Sequence, residues 1–154
     1  RLFAGGKYNI LMNGGGSTVL NHNENPKLET TSSGVTVTGN ISDENGNVRS
    51  VPATEPGNAS YTLQPSDAGK YIDSQGSGNT VTIPQNTMSK GDVVTIVRAT
   101  SGDVTIAQGS GVTMYHSADG ANTTTGNRTL SQRGMVTMIF VGPNYCYISG
   151  TGLS

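Results

Sequence analysis

Along most of the chain, hydrophobic and polar residues alternate with a period of two. Val35-Thr36-Val37-Thr38, Val81-Thr82-Ile83, Val104-Thr105-Ile106 and Val112-Thr113-Met114 each put an apolar residue at every second position. Successive side chains of a strand point to opposite faces, so each segment predicts a strand with one apolar and one hydroxyl face. Two segments break the rule. Val93 to Val97 and Met135 to Val141 carry apolar residues on both faces, which predicts central strands covered on both sides. Tyr145 to Ser149 predicts the last strand. Turn signals separate these runs at short intervals: Asn45-Gly46, Gly76 to Asn79, Lys90-Gly91, Ser101-Gly102, Gly109 to Gly111 and Gly142 to Asn144. The expected fold class is all-β, with a sandwich-like or barrel-like C-terminal domain.

The density of apolar residues divides the chain. Residues 1–45 hold short strand candidates (Tyr8 to Met12, Ser17 to Leu20, Lys27 to Thr30, Val35 to Thr38) around Gly14-Gly15-Gly16 and the polar run Asn21 to Asn25. That stretch has too little apolar mass for a core of its own, and a small isolated meander exposes its edges. It predicts a shaft-like segment intertwined with identical copies. Residues 46–60, with Pro52, Pro56 and Gly57, predict a linker. Residues 61–154 predict a domain with its own core. The first residue is Arg1, which predicts a piece of a longer protein or a processed product.

Composition narrows the function classes. Gly, Thr, Ser and Asn supply 72 of 154 residues, and strong helix formers are scarce, which excludes a helical bundle. Charged residues make up 12% and the net charge is −1, so there is no basic footprint for nucleic acid. No apolar run is long enough to predict membrane insertion as a helix. The single cysteine, Cys146, rules out an intrachain disulfide. It alternates with Tyr145 and Tyr147, which predicts a buried structural thiol.

Candidate chemistry is sparse. His22 sits in Asn21-His22-Asn23, without the second histidine of an axial His-x-His metal pair, so a loop histidine is favoured and neither metal nor cofactor is expected. The carboxylates show no spacing that suggests a glycosidase pair. There is no Gly-x-Ser-x-Gly elbow and no phosphate-loop lysine; no enzymatic activity is expected. Tyr145 and Tyr147 share one strand face and suit either sugar stacking or closure of a core or of an interface between copies. The stretch Ser117 to Arg128 is polar and long for a hairpin connection. It predicts an exposed recognition loop. Tyr115, His116, Asp119, Asn122, Asn127 and Arg128 are the candidate receptor-binding residues.

Two segments also carry a family resemblance. Lys27-Leu28-Glu29-Thr30-Thr31-Ser32-Ser33-Gly34-Val35-Thr36-Val37-Thr38-Gly39 resembles a repeat of bacteriophage tail-fibre proteins. Tyr61-Thr62-Leu63, Asp67-Ala68-Gly69-Lys70, Val81-Thr82-Ile83-Pro84, Gly111 to Tyr115, Thr125 to Leu130, Gln132-Arg133-Gly134 and Ile148-Ser149-Gly150 look similar to a C-terminal domain of such proteins. The resemblance implies a homotrimeric virion fibre of three identical chains. Other tail or fibre proteins would lie on its N-terminal side. The C-terminal domain would contact a host surface glycan or outer-membrane component. A fragment of a glycan-degrading tailspike and a non-binding trimerisation cap are the alternatives.

Overall fold

The computed structural model describes the chain apart from residues 1, 5, 6, 13, 15, 45, 49 and 118–123; for residues 2–4, 7 and 8 it describes the backbone alone. The described residues contain strands and short 3₁₀ turns but no α-helix. The expected all-β class is thus what the chain adopts. It forms two compact units, Arg1–Ser50 and Val51–Ser154.

The N-terminal unit is a single antiparallel meander. Its strands are β1 (Leu2–Ala4), β2 (Lys7–Met12), β3 (Thr18–His22), β4 (Asn25–Thr31) and β5 (Gly34–Val37), paired in sequence order. A two-strand hairpin follows, β6 (Ser42–Asp43) with β7 (Gly46–Asn47). Pairing registers line up Ile10, Leu20, Leu28 and Val37 as one row across four strands. Among the residues whose side chains are described, only Val19 of this unit is a buried hydrophobic residue. Met12, Leu20 and Val35 stay exposed. The described strands of this unit lie in one five-stranded and one two-stranded sheet, and none of the four residues of the apolar row is fully buried: Leu20 is exposed and Ile10, Leu28 and Val37 are half-buried.

The C-terminal unit is a short parallel coil closed by a hairpin. Strands β8 (Ala53–Gly57), β10 (Tyr71–Ser74) and β12 (Val93–Val97) pair in parallel as one wall. Strands β9 (Tyr61–Thr62), β11 (Thr80–Ile83) and β13 (Val104–Gln108) pair in parallel as the other. The chain alternates between walls, so Ala53, Tyr71 and Thr95 stack on one side and Tyr61, Val81 and Ile106 on the other. The 15-residue β15 (Arg128–Gly142) then crosses over. Its start pairs with β13, its end with β12. The switch falls at Arg133, whose φ of 60° lies in the left-handed region. Strand β16 (Tyr145–Leu153) runs back along β15 and also pairs in parallel with β14 (Thr113–His116). Gly150 lies where β16 passes this bend. A Cβ there would sit 2.1 Å from the Met135 carbonyl oxygen, so only glycine allows the approach.

Between the walls lies one continuous core that includes Leu63, Ile72, Ile83, Ile96, Ile106, Met138 and Phe140. The Val/Thr alternation is realised as predicted: Val81, Ile83, Val104 and Ile106 point inward and their threonines outward. Cys146 is fully buried, and burial pushes its thiol up to about 12.

The structure corrects two expectations. The stretch 46–60 is not a plain linker, because Ala53–Gly57 is an edge strand of the coil. Pro56 fits there, since an edge strand can leave one backbone position without a ladder bond. Nor are β12 and β15 covered on both sides within the chain. Their inner residues are buried, but Val93, Met135, Ile139 and Val141 are exposed.

Two buried polar groups pin the coil. The Asp67 carboxylate accepts hydrogen bonds from the Thr54 hydroxyl (2.8 Å), the Tyr61 hydroxyl (2.9 Å) and the Gln64 amide (2.7 Å), tying β8 and β9 to the 3₁₀ turn Pro65–Asp67. Arg98, fully buried, donates to the carbonyls of Ser74 (2.7 Å), Gly102 (2.8 Å) and Ser101 and to the Thr100 hydroxyl (2.6 Å). Its guanidinium fork fastens the end of β10 to the turn after β12.

Asp67→Ala strips the acceptor from three donors at once. Each donor left unsatisfied costs about 1–3 kcal/mol. Urea unfolding at fixed protein concentration should therefore lose roughly 3 kcal/mol or more. Burial, helped by the bond to Asp67 and by its charge, pushes the Tyr61 hydroxyl from 10.0 up to about 12. The folded state favours the protonated phenol, so this contribution is complete below pH 10 and is lost as pH rises towards 12. Unfolding measured across that window should show the loss in the native protein and less of it in Tyr61→Phe.

Candidate functional site

The described candidate residues, Tyr115, His116, Asn127 and Arg128, lie where β14 ends and β15 begins. Parallel pairing with β16 sets Thr113 beside Tyr145 and Tyr115 beside Tyr147. Tyr115 and Tyr147 stack with ring centroids 5.4 Å apart and planes 29° from parallel. Tyr147 is 45% exposed and Tyr145 is 52% exposed, so neither closes the core. Of the roles open to this pair, sugar stacking and an interface between copies are compatible with that placement. His116 is half-buried next to Tyr115 on β14.

Asn127 and Arg128 have structural partners. The Asn127 Oδ1 accepts from the Gln108 amide at 2.9 Å. Arg128 donates from Nη2 to the Thr124 carbonyl at 3.2 Å. Between them sits a residue that the sequence did not single out. The Gln108 side-chain carbonyl accepts from the Met114 amide (2.8 Å) and the Gly126 amide (2.9 Å). One amide group thus holds β14 and the returning end of the loop at fixed positions. No sequence pattern marks Gln108, because its partners lie 6 and 18 residues away. The flanking Ser117, Thr124 and Thr125 are exposed. Asp119 and Asn122 lie outside the described residues.

Elsewhere, two grooves lie among the described residues. One, of about 490 Å³, is lined in the N-terminal unit by Gly16, Ser17, Glu29, Thr30, Thr31 and Ser32. The other, of about 260 Å³, lies on the outer wall of the C-terminal unit among Val51, Tyr71, Thr95, Val97 and Met135. Their linings contain one carboxylate, Glu29, and neither histidine nor cysteine. His22 is exposed at the end of β3, its Nε2 3.4 Å from the Asn23 amide nitrogen. Among the described residues no three His, Cys, Asp or Glu side chains come together as a metal site. No helix among them is long and apolar enough to cross a membrane.

If Gln108 is the clamp that sets the loop, Gln108→Leu should free the Met114 and Gly126 amides. Hydrogen exchange should then speed up at those two positions while the core amides of Ile96 and Val136 keep their protection. Uniform loss of protection would mean that Gln108 supports the whole unit.

Compared with protein-family models, with curated proteins and with solved structures, the chain matches none of them. Its role has to be read from its own geometry.

Proposed function

We propose that the chain is a structural and adhesive segment of a virion fibre, assembled from three identical copies, with its C-terminal unit directed at a host surface. The observation that carries the reading is the row Ile10, Leu20, Leu28 and Val37, none of which is fully buried within the chain. Burying side chains of this size is worth about 1.5–3 kcal/mol each. A lone meander forgoes that stabilisation and presents strand edges to water. Identical copies supply the missing layer and cover the edges. The resemblance of residues 27–39 and of much of 61–154 to tail-fibre proteins supplies the viral context, and with it the partners: two further copies, other tail proteins, and a host glycan or outer-membrane component.

The recognition part of the reading rests on the polar stretch Ser117 to Arg128, whose Gly126 amide is held by Gln108 of β13. Rigid scaffolds carrying exposed polar loops commonly serve recognition. A non-binding cap is the second reading. It is favoured by Asn127 and Arg128, whose side chains are engaged in holding the local backbone.

Sedimentation of the full chain should give three times 15.9 kDa. A stable folded monomer contradicts the assembly. Asp119→Ala with Asn122→Ala should weaken adsorption to the host while the trimer melts as before. Unchanged adsorption by an intact trimer assigns the unit to capping instead.

A further inference from the structure

The groove of the N-terminal unit lies where β3 starts and β4 ends. Its volume, about 490 Å³, falls within the range of about 300–1,000 Å³ usual for small-ligand sites. Gly16, Ser17, Glu29, Thr30, Thr31 and Ser32 line it. Register sets Glu29 opposite Val19 and Leu28 opposite Leu20. Neighbours along a strand face opposite ways, so Glu29 lies on the sheet face away from the row Ile10, Leu20, Leu28 and Val37. Covering that row does not cover the Glu29 face. Glu29 is half-buried, and among the described residues its carboxylate has no hydrogen-bond or ion-pair partner. Val19, across the ladder from it, is buried, so the carboxylate is partly shielded from water, where polar contacts strengthen. The hydroxyls around it are available. Thr30 Oγ1 accepts from the Thr18 amide at 2.9 Å, which leaves its own O–H to donate. Ser17 and Ser32 hydroxyls have no partner among the described residues.

We propose that this groove is a binding site for a neutral sugar. The carboxylate only accepts hydrogen bonds, whereas the serine and threonine hydroxyls both donate and accept. The adjacent hydroxyls of a sugar also do both, so they satisfy the whole lining. Other ligand classes fit less of it. An anion, such as a phosphate or a uronic acid, is repelled by Glu29. An ammonium group offers donors alone and leaves the hydroxyl protons of the groove without acceptors. A metal ion needs more than one carboxylate, and no three His, Cys, Asp or Glu side chains gather among the described residues. The lining has no aromatic ring for a sugar to stack on. Each hydrogen bond to the sugar replaces one to water and gains little, so the dissociation constant is on the order of 1 mM. Where copies of the chain assemble, several such grooves act together and a weak site suffices. The site lies apart from the C-terminal stretch read above as the recognition element and does not depend on that reading.

Magnetic resonance of the full, nitrogen-labelled chain tests the site, because each backbone amide reports its own surroundings. Maltose and lactose are the neutral probes, ethanolamine the cationic one and glucuronate the anionic one. Each is added to about 50 mM, well above a dissociation constant of about 1 mM. The expected result is that a neutral sugar moves the amides of Gly16, Ser17, Thr31 and Ser32, and that ethanolamine and glucuronate do not. Glu29→Gln keeps the shape and one acceptor oxygen but loses the charge, and should weaken binding about tenfold. Should that change also disturb the amides of Leu20 and Leu28, Thr31→Val repeats the test: it keeps the branched side chain, removes the hydroxyl and should weaken binding about threefold. Dextran separates the sources of the sugar. Movement of the same amides by dextran supports a glycan chain as the ligand, and movement by the disaccharides alone supports a free sugar. No movement with either disaccharide overturns the proposal, and so does undiminished binding by both variants. Movement with ethanolamine and not with the sugars overturns it in favour of an amine. None of these outcomes bears on recognition by the C-terminal unit, which adsorption measures separately.

Discussion

A β-strand has two faces, and this chain has apolar side chains for more faces than it can cover. That constraint shapes both units. In the N-terminal unit one antiparallel sheet carries the row Ile10, Leu20, Leu28 and Val37, none of it fully buried. In the C-terminal unit two walls bury each other's inner faces, but Val93, Met135, Ile139, Val141 and Tyr147 remain on the outside of one of them. Helices would ordinarily cover a parallel sheet. Among the described residues there are none. Self-association, as proposed above, would bury these rows.

Within that constraint, the coil is held by a few buried polar groups. Asp67 gathers three donors from three segments, and Arg98 gathers four acceptors, three from the turn after β12 and one from the end of β10. Such groups are strongly stabilising only when every partner is present. They tie β8 and β9 to the 3₁₀ turn and the end of β10 to the turn after β12. Position, core and exposed face are therefore linked: a slip of one residue would turn Val93 or Ile139 inward and Val94 or Met138 outward.

Much of this was legible in the sequence, because Val/Thr alternation maps directly onto inward and outward positions. The thin apolar content of residues 1–45 also pointed to a layer without a core. What was not legible depends on distance along the chain. The coil has rungs of unequal length, with Ala53, Tyr71 and Thr95 on one wall and Tyr61, Val81 and Ile106 on the other, so no fixed repeat marks it. Ala53–Gly57 read as linker because Pro56 and Gly57 are turn residues, and only an edge position in a parallel wall accommodates them. Gln108 carries no motif, since its role is set by amides brought to it by the fold. The apolar outer residues of β12 and β15 were read as covered; within the chain they are not.

The central claim is that folding and self-association are one process in this protein. Thermal unfolding followed by circular dichroism over a wide range of protein concentration tests it most directly. If the native state is an assembly that completes its own sheets, the melting temperature must rise with concentration, because dissociation accompanies unfolding. A melting temperature independent of concentration would mean that each chain folds alone with its apolar faces in water, and would contradict the account.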